Sequence, residues 1–129
     1  MNKIYIILPI LVSLLTFSLH SNGEWTYVME NINGTEYYID FDRFKKRDNY
    51  VYTWVLRNYL EPDQLGELST FQFEKIHCGI PKKSKVFRTT SCDDNVGKGK
   101  CESHHRETEW RYPNPDSVME EIIDLVCSQ

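Results

Sequence analysis

Trp110-Arg111-Tyr112-Pro113-Asn114-Pro115-Asp116-Ser117 leads into Val118-Met119-Glu120-Glu121-Ile122-Ile123-Asp124-Leu125-Val126-Cys127, close to the end of a 129-residue chain. Val118, Ile122, Leu125 and Val126 recur at helical spacing, Met119 and Ile123 widen the apolar stripe, and Glu120, Glu121 and Asp124 fall on the other side. The pattern predicts one amphipathic helix. Two signals place its start: Pro115, at a first helical position after Asn114, and the Ser117-x-x-Glu120 pattern of a capping box. The rest of the chain carries strand patterns, so the apolar stripe has a sheet to cover. Cys127 stands at the helix end as a covalent anchor.

Working back from the helix, Tyr50 to Leu60 is the longest strand pattern. Tyr50, Tyr52, Trp54, Leu56 and Leu60 share one parity and Val51, Val55 and Tyr59 the other, which predicts a central strand covered at least partly on each side. Leu68 to Cys78 reads as a second long strand. Phe71 and Phe73 are out of phase with Ile76 and Cys78, and a bulge near Glu74-Lys75 would bring them to one side. Trp25 to Glu30 and Thr35 to Asp40 flank Asn33-Gly34, a strong hairpin signal. Asn33-Gly34-Thr35 also fits a glycosylation acceptor, but a tight turn already explains the Asn and Gly.

Asp40 to Asn49 is a polar connector with room for one helical turn, and Glu61 to Gly66 carries turn chemistry. Ser84 to Ser91 is a further strand, Asp93 to Lys100 a loop by composition, and Glu107 to Tyr112 a last strand before the prolines. The expected fold is therefore α+β: a single antiparallel sheet of five to six strands in meander-like order, with one C-terminal helix packed on it.

The start of the chain reads differently. Lys3 precedes the almost wholly apolar run Ile4 to Leu19, and Ser21-Asn22-Gly23 offers small residues at a cleavage site before Glu24. Residues 1–23 are expected to be a cleaved secretory signal peptide. The run is short for a membrane span and no basic stop-transfer flank follows it, so no stable span is expected after cleavage. Residues 24–129 then form one small domain. Losing Lys3 takes the net charge from −4 to −5, which disfavours nucleic acid as a partner because phosphate neutralisation dominates that affinity.

All four cysteines, Cys78, Cys92, Cys101 and Cys127, lie in the exported part, and an even number in an oxidising compartment reads as two disulfides. Three connectivities are open. We favour Cys92–Cys101 across a turn-rich segment and Cys78–Cys127 from a strand end to the helix end. The second closes a ring of about 50 residues, worth roughly 4 kcal/mol in the chain-entropy model.

Glu24-Trp25, Tyr37-Tyr38-Ile39-Asp40, Val51-Tyr52-Thr53-Trp54-Val55-Leu56 with Tyr59 and Pro62, Cys78, Gly97-Lys98-Gly99, Trp110-Arg111-Tyr112, Pro115-Asp116-Ser117-Val118 and Val126-Cys127 occur in that order. As an ordered set they resemble the bacterial surface-adhesin protein E family over nearly the whole exported part. The resemblance implies a small antiparallel sheet with its C-terminal helix fixed to it, on an exported bacterial protein. The family's namesake is a surface adhesin that binds host matrix and serum proteins and has been linked to haem. This chain differs from the pattern in having no cysteine in or just after the apolar run to carry a lipid, and in the added Cys92–Cys101 pair.

No catalytic residue, cofactor site or metal site is expected. Cys92, Cys101, His104 and His105 could offer zinc ligands, but their spacing fits no familiar pattern, neighbouring histidines on a strand face apart, and export favours oxidation. His77 beside Cys78 faces away from it on a strand for the same reason. Asp40 and Asp42 read as turn formers capping amides and not as an acid–base pair. Lys45-Lys46-Arg47 and Lys82-Lys83-Ser84-Lys85 are basic patches whose default reading is solvated loop. One helix cannot cover both sides of such a sheet, so outward tyrosines among Tyr27, Tyr38, Tyr50 and Tyr59 would make a protein-binding face or a homo-dimer contact. The expectation is an exported, disulfide-stabilised binding module with a protein partner, in the periplasm or at the cell surface. The other reading is a periplasmic envelope-maintenance or regulatory protein with no host ligand.

Overall fold

The structure is a computed structural model that describes residues 24–129; the signal-peptide reading of residues 1–23 lies outside the described residues. Seven strands form one antiparallel sheet: β1 (Thr26–Glu30), β2 (Glu36–Ile39), β3 (Lys45–Arg47), β4 (Tyr50–Asn58), β5 (Ser69–His77), β6 (Lys83–Cys92) and β7 (Cys101–His105). The order across the sheet is β1-β2-β4-β5-β6-β7, with β3 pairing the first half of β4 where β2 pairs its second half. Helix α1 (Val118–Cys127) follows the last strand. A single antiparallel sheet with one C-terminal helix is thus the observed architecture.

Local chemistry explains each joint. In the β1–β2 turn, Asn31 Oδ1 accepts from the amides of Asn33 at 2.9 Å and Thr35 at 3.0 Å, while Gly34 takes the left-handed φ of +82°. Asp40 Oδ1 caps a 3₁₀ turn by accepting from Asp42 N at 3.0 Å and Arg43 N at 3.3 Å, and its Oδ2 pairs with Arg43 Nε. Asp40 is a turn former, buried beside the β2–β4 ladder. Ser117 is the N-cap of α1, its Oγ accepting from Glu120 N at 3.2 Å. Glu120 Oε1 accepts from Asp116 N at 3.4 Å, one residue before the cap, while Ser117 N donates to Asn114 O, so the Ser117 half of the expected capping box forms and Pro115 stays in the turn before the helix.

Three expectations need correction. The polar connector after Asp40 holds strand β3 as well as the expected turn, because β2 is too short to pair the whole of β4 and leaves Tyr50–Tyr52 an open edge. The last strand is Cys101–His105, not Glu107–Tyr112. Its residues are all exposed, so it shows no apolar alternation; the later stretch only brackets β6 through Thr108 N to Val86 O at 2.9 Å and paired bonds between Ser84 and Arg111. The irregularity beside Phe73/Glu74 places its extra residue on β6, where Phe73 faces Arg88 and Glu74 faces Val86. Phe71 and Phe73 therefore stay on the face opposite Ile76.

Period-two alternation then sorts the sheet into two unlike sides. Ile39, Val51, Val55 and Ile76 point to α1 and form a fully buried core with Ile122, Ile123 and Val126. The helix is tied down by the Cys78–Cys127 bond, which joins the end of β5 to the last turn across a Cα separation of 5.5 Å. A ten-residue helix is about 15 Å long, whereas six strands abreast span roughly 24 Å. It covers one part of one side.

Glu74 is buried on that helix side, next to the edge of the helix's cover. Both of its carboxylate oxygens lack a hydrogen-bond partner; the nearest cation, Arg57, stands 3.8 Å away, beyond hydrogen-bonding reach. Burial pushes its carboxyl above the usual 4.5, against the opposing pull of the Arg57 and Arg111 guanidinium groups.

Two outcomes follow for stability. Removing the Cys78–Cys127 bridge by a double Cys→Ala variant should cost about 4 kcal/mol in denaturant unfolding, against about 3 kcal/mol for Cys92–Cys101, because the closed loop is longer. For Glu74, the unfolded carboxyl ionises near 4.5 and the folded one at higher pH, so stability falls as pH rises between those two values. Glu74→Gln should unfold at higher urea concentration than the native chain at neutral pH and converge with it below the unfolded-state value.

Candidate functional site

On the side away from α1, alternation along β4 sets out Tyr50, Tyr52 and Trp54, and β5 lays Phe73 and Lys75 beside them in register. Trp54 and Phe73 are directly opposed, with ring centroids 5.2 Å apart; Phe73 reaches Tyr52 at 6.4 Å and Phe87 of β6 at 6.0 Å. The β6 bulge brings Phe87 into this row. Trp110, from the stretch that returns along β6, lies 6.3 Å from Tyr50. These side chains are half-buried by one another, with no covering element among the described residues.

Cations ring the aromatic floor. Lys83, Lys85 and Lys75 hold their ammonium groups 4.6, 4.9 and 5.9 Å from the Trp110 ring, and Lys75 sits 4.3 Å over Tyr50. Arg43 and Arg88 approach Trp54 at 5.0 and 5.9 Å. Each contact is attractive because the ring face is negative. Lys85 also pairs with Glu107 at 2.6 Å, but among the described residues no carboxylate pairs with Lys75 or Lys83. On the opposite rim, Lys45 and Arg47 of β3 line a hollow of about 500 Å³ whose floor is Tyr52 and Phe73, while Lys46, paired with Val51, sends its ammonium group to the helix side, to Gln129 O at 3.4 Å. The result is a shallow groove with an apolar bottom and two basic banks.

One end of this side is closed. Asn58 Oδ1 accepts from Val96 N at 2.9 Å, and Ser69 Oγ accepts from Gly97 N at 2.9 Å while donating to Asp94 O at 2.6 Å. These bonds fold the Asp93–Lys100 loop over Leu56, where Gly97, at φ +71°, approaches so closely that a Cβ would lie 3.4 Å from both Leu56 and Phe71. The Cys92–Cys101 bond, linking residues that face each other in the β6–β7 register, closes the loop's base.

All four cysteines are held in structural bonds, Cys78 with Cys127 and Cys92 with Cys101. Of the tyrosines, Tyr50 lies in the groove wall, Tyr27 and Tyr38 stack edge to face at 5.7 Å farther along the same side, and Tyr59 points to the helix side, donating to Thr70 Oγ1 at 3.3 Å. His77 turns its Nδ1 to Pro81 O at 3.0 Å. Lys82 leaves the basic patch to pair with Asp124 at 2.5 Å. What sequence reading missed is the union of Trp54, Phe73, Lys75 and Trp110. Its signal was present in the parity of β4 and of Phe71 and Phe73, but parity does not say which side the helix takes.

Comparison with known proteins adds to this geometry. A family model described as surface-adhesin protein E matches residues 25–128. Crystal form II of Haemophilus influenzae protein E superposes with a TM-score of 0.61 at 19% identity, covering 83% of this chain and 88% of that one. A selenomethionine form from the same organism gives 0.61 at 18%, covering 80% and 86%, and protein E from non-typeable Haemophilus influenzae gives 0.57 at 18%, covering 79% and 75%. Identity that low shows a shared fold. No curated protein matches.

The groove side chains contribute less to folding than the core. Trp110→Ala should cost under about 2 kcal/mol in denaturant unfolding, whereas Ile76→Ala, which empties the interface under the helix, should cost about 2–5 kcal/mol.

Proposed function

The chain belongs to the surface-adhesin protein E family, and on that premise we propose that it is an exported, non-enzymatic module that holds an acidic, extended segment of a partner protein in the aromatic groove. The observation that carries this is the pair of ammonium groups, Lys75 and Lys83, set over open aromatic rings without a carboxylate of their own. An acidic segment would supply the missing counter-charges while its side chains cover the rings. Tyrosine, tryptophan and arginine are the residues that interfaces favour. The chain as a whole is acidic, so this local positive field also steers the partner to one place.

Export is part of the proposal. Residues 1–23 serve as the cleaved signal and residues 24–129 as the mature domain, and the two disulfides suit an oxidising compartment. Among the described residues no helix is long and apolar enough to cross a membrane. The family name speaks for display at the cell surface and a matrix or other macromolecular partner; an envelope role inside the periplasm is the alternative.

Surface plasmon resonance with the oxidised mature domain, against matrix proteins and envelope extract, tests the reading. Binding should weaken with rising salt, and Lys75→Glu or Trp110→Ala should lower affinity about tenfold or more. A partner bound equally well by both variants would overturn the groove as the site. Heparin competing as well as an acidic peptide would transfer the role to a polyanion. Fractionation separates the addresses: protein confined to the periplasm excludes adhesion, and a dimer by sedimentation that Trp110→Ala dissolves assigns the groove to a second copy.

A further inference from the structure

The helix side of the sheet contains a second recess, away from the groove and independent of the function proposed for it. Beyond the N-terminal end of α1, the strap Arg111–Ser117, bonded to β6 through Arg111 and Ser84, borders a cavity of about 250 Å³. Glu74 forms part of its wall with Arg57, Arg111, Ser84, Asn114 and Met119. This carboxyl is 1% exposed, and neither of its oxygens has a hydrogen-bond partner, the nearest charge being Arg57 at 3.8 Å. Thr53, its cross-strand neighbour, also has an unpartnered buried hydroxyl. A buried polar group without a bond costs about 1–3 kcal/mol, more for a charged one. Beside a cavity, such a group can recover that cost from a donor that enters.

The charges around the cavity restrict what can fill it. A lone anion would meet Glu74 in a poorly solvated wall. A lone cation would meet two guanidinium groups. Arg57 already commits one nitrogen to Gln72 Oε1, at 2.6 Å, which fixes its orientation and leaves its other terminal nitrogen directed toward Glu74 at 3.8 Å. A ligand carrying both signs satisfies both sides at once. The volume is below the roughly 300–1,000 Å³ of sites that bury drug-sized molecules, so that ligand is small. Val86 and Met119 supply an apolar patch in the same wall for a short side chain.

We propose that this cavity binds a small zwitterion of the α-amino-acid type, its ammonium group donating to Glu74 and its carboxylate accepting from Arg57 and Arg111. Asn114 offers a further hydrogen bond at the rim, and Ser84 lies buried in the wall. The strap that borders the cavity continues directly into the Ser117 cap of α1, so a bound molecule also touches the segment that sets the helix.

The test uses the oxidised chain, isotope-labelled and purified in the form in which the cell exports it. Each proteinogenic L-α-amino acid is added to about 10 mM, enough to detect binding as weak as roughly millimolar. At least one should shift the backbone amides of Gln72–Ile76 and Arg111–Ser117, and its N-acetyl and α-amide derivatives should bind about tenfold or more weakly. Glu74→Gln and Arg111→Ala should each reduce affinity by a similar factor. No shift with any amino acid would mean that the cavity holds solvent only and would overturn the proposal. So would a derivative, or either variant, that binds as tightly as the parent. Arg111 is exposed, so its variant serves if Glu74→Gln does not fold, and the comparison of derivatives needs no variant at all. The comparison of an amino acid with its derivatives touches no groove residue, which keeps failure of this proposal distinct from failure of the groove.

Discussion

The bond between Cys78 and Cys127 is the constraint from which the rest of the architecture follows. It pins the far end of a short helix to the end of β5, while Ser117 sets the near end. Between those points Ile122, Ile123 and Val126 have only Ile39, Val51, Val55 and Ile76 to cover. Seven residues make a small core, and a domain of this size buries too little surface to be secure on packing alone. Cross-linking the helix reduces the freedom of the unfolded chain and keeps the apolar stripe on one side of the sheet.

Once one side is taken by the helix, the other acquires its character by default. Among the described residues no further element covers the aromatic residues of β4 and β5, and the Asp93–Lys100 loop closes one end. The rings shield each other through edge and tilted contacts, and lysine stems lie over them with their charges in water. Such a surface is stable in isolation and still has much to gain from a partner. A β-bulge on β6 contributes by turning Phe87 into the row beside Phe73.

Glu74 stands apart from this pattern of packing. A carboxyl held in a protein wall without a hydrogen-bond partner lowers stability, and an isolated core would do better with a neutral residue there. The stretch from Arg111 to Ser117 borders the same recess and adds a second arginine to it. A macromolecule on one side of the sheet and a small molecule on the other would be linked through the strands between them and through the Trp110-Arg111 stretch, which contributes to both sites.

Much of this protein is legible in its residues. Helical spacing from Val118 to Val126, the Ser117 cap, the Asn33-Gly34 turn and the parity of β4 each encode their element through contacts a few residues apart, so the order of residues along the chain is enough to place them. Strand β7 and the edge strand β3 are not encoded in that way. Neither shows an apolar alternation, and each exists because a longer neighbour offers a free ladder of amides and carbonyls, in one case with a disulfide at its base. The groove and the Glu74 cavity are equally invisible in sequence, because Trp110 meets Lys75 and Arg111 meets Glu74 only after the chain has folded back over itself. Local order is written in nearest neighbours; which face is closed, which is left open, and which charges meet depends on how distant segments pack, and only the tertiary structure decides that.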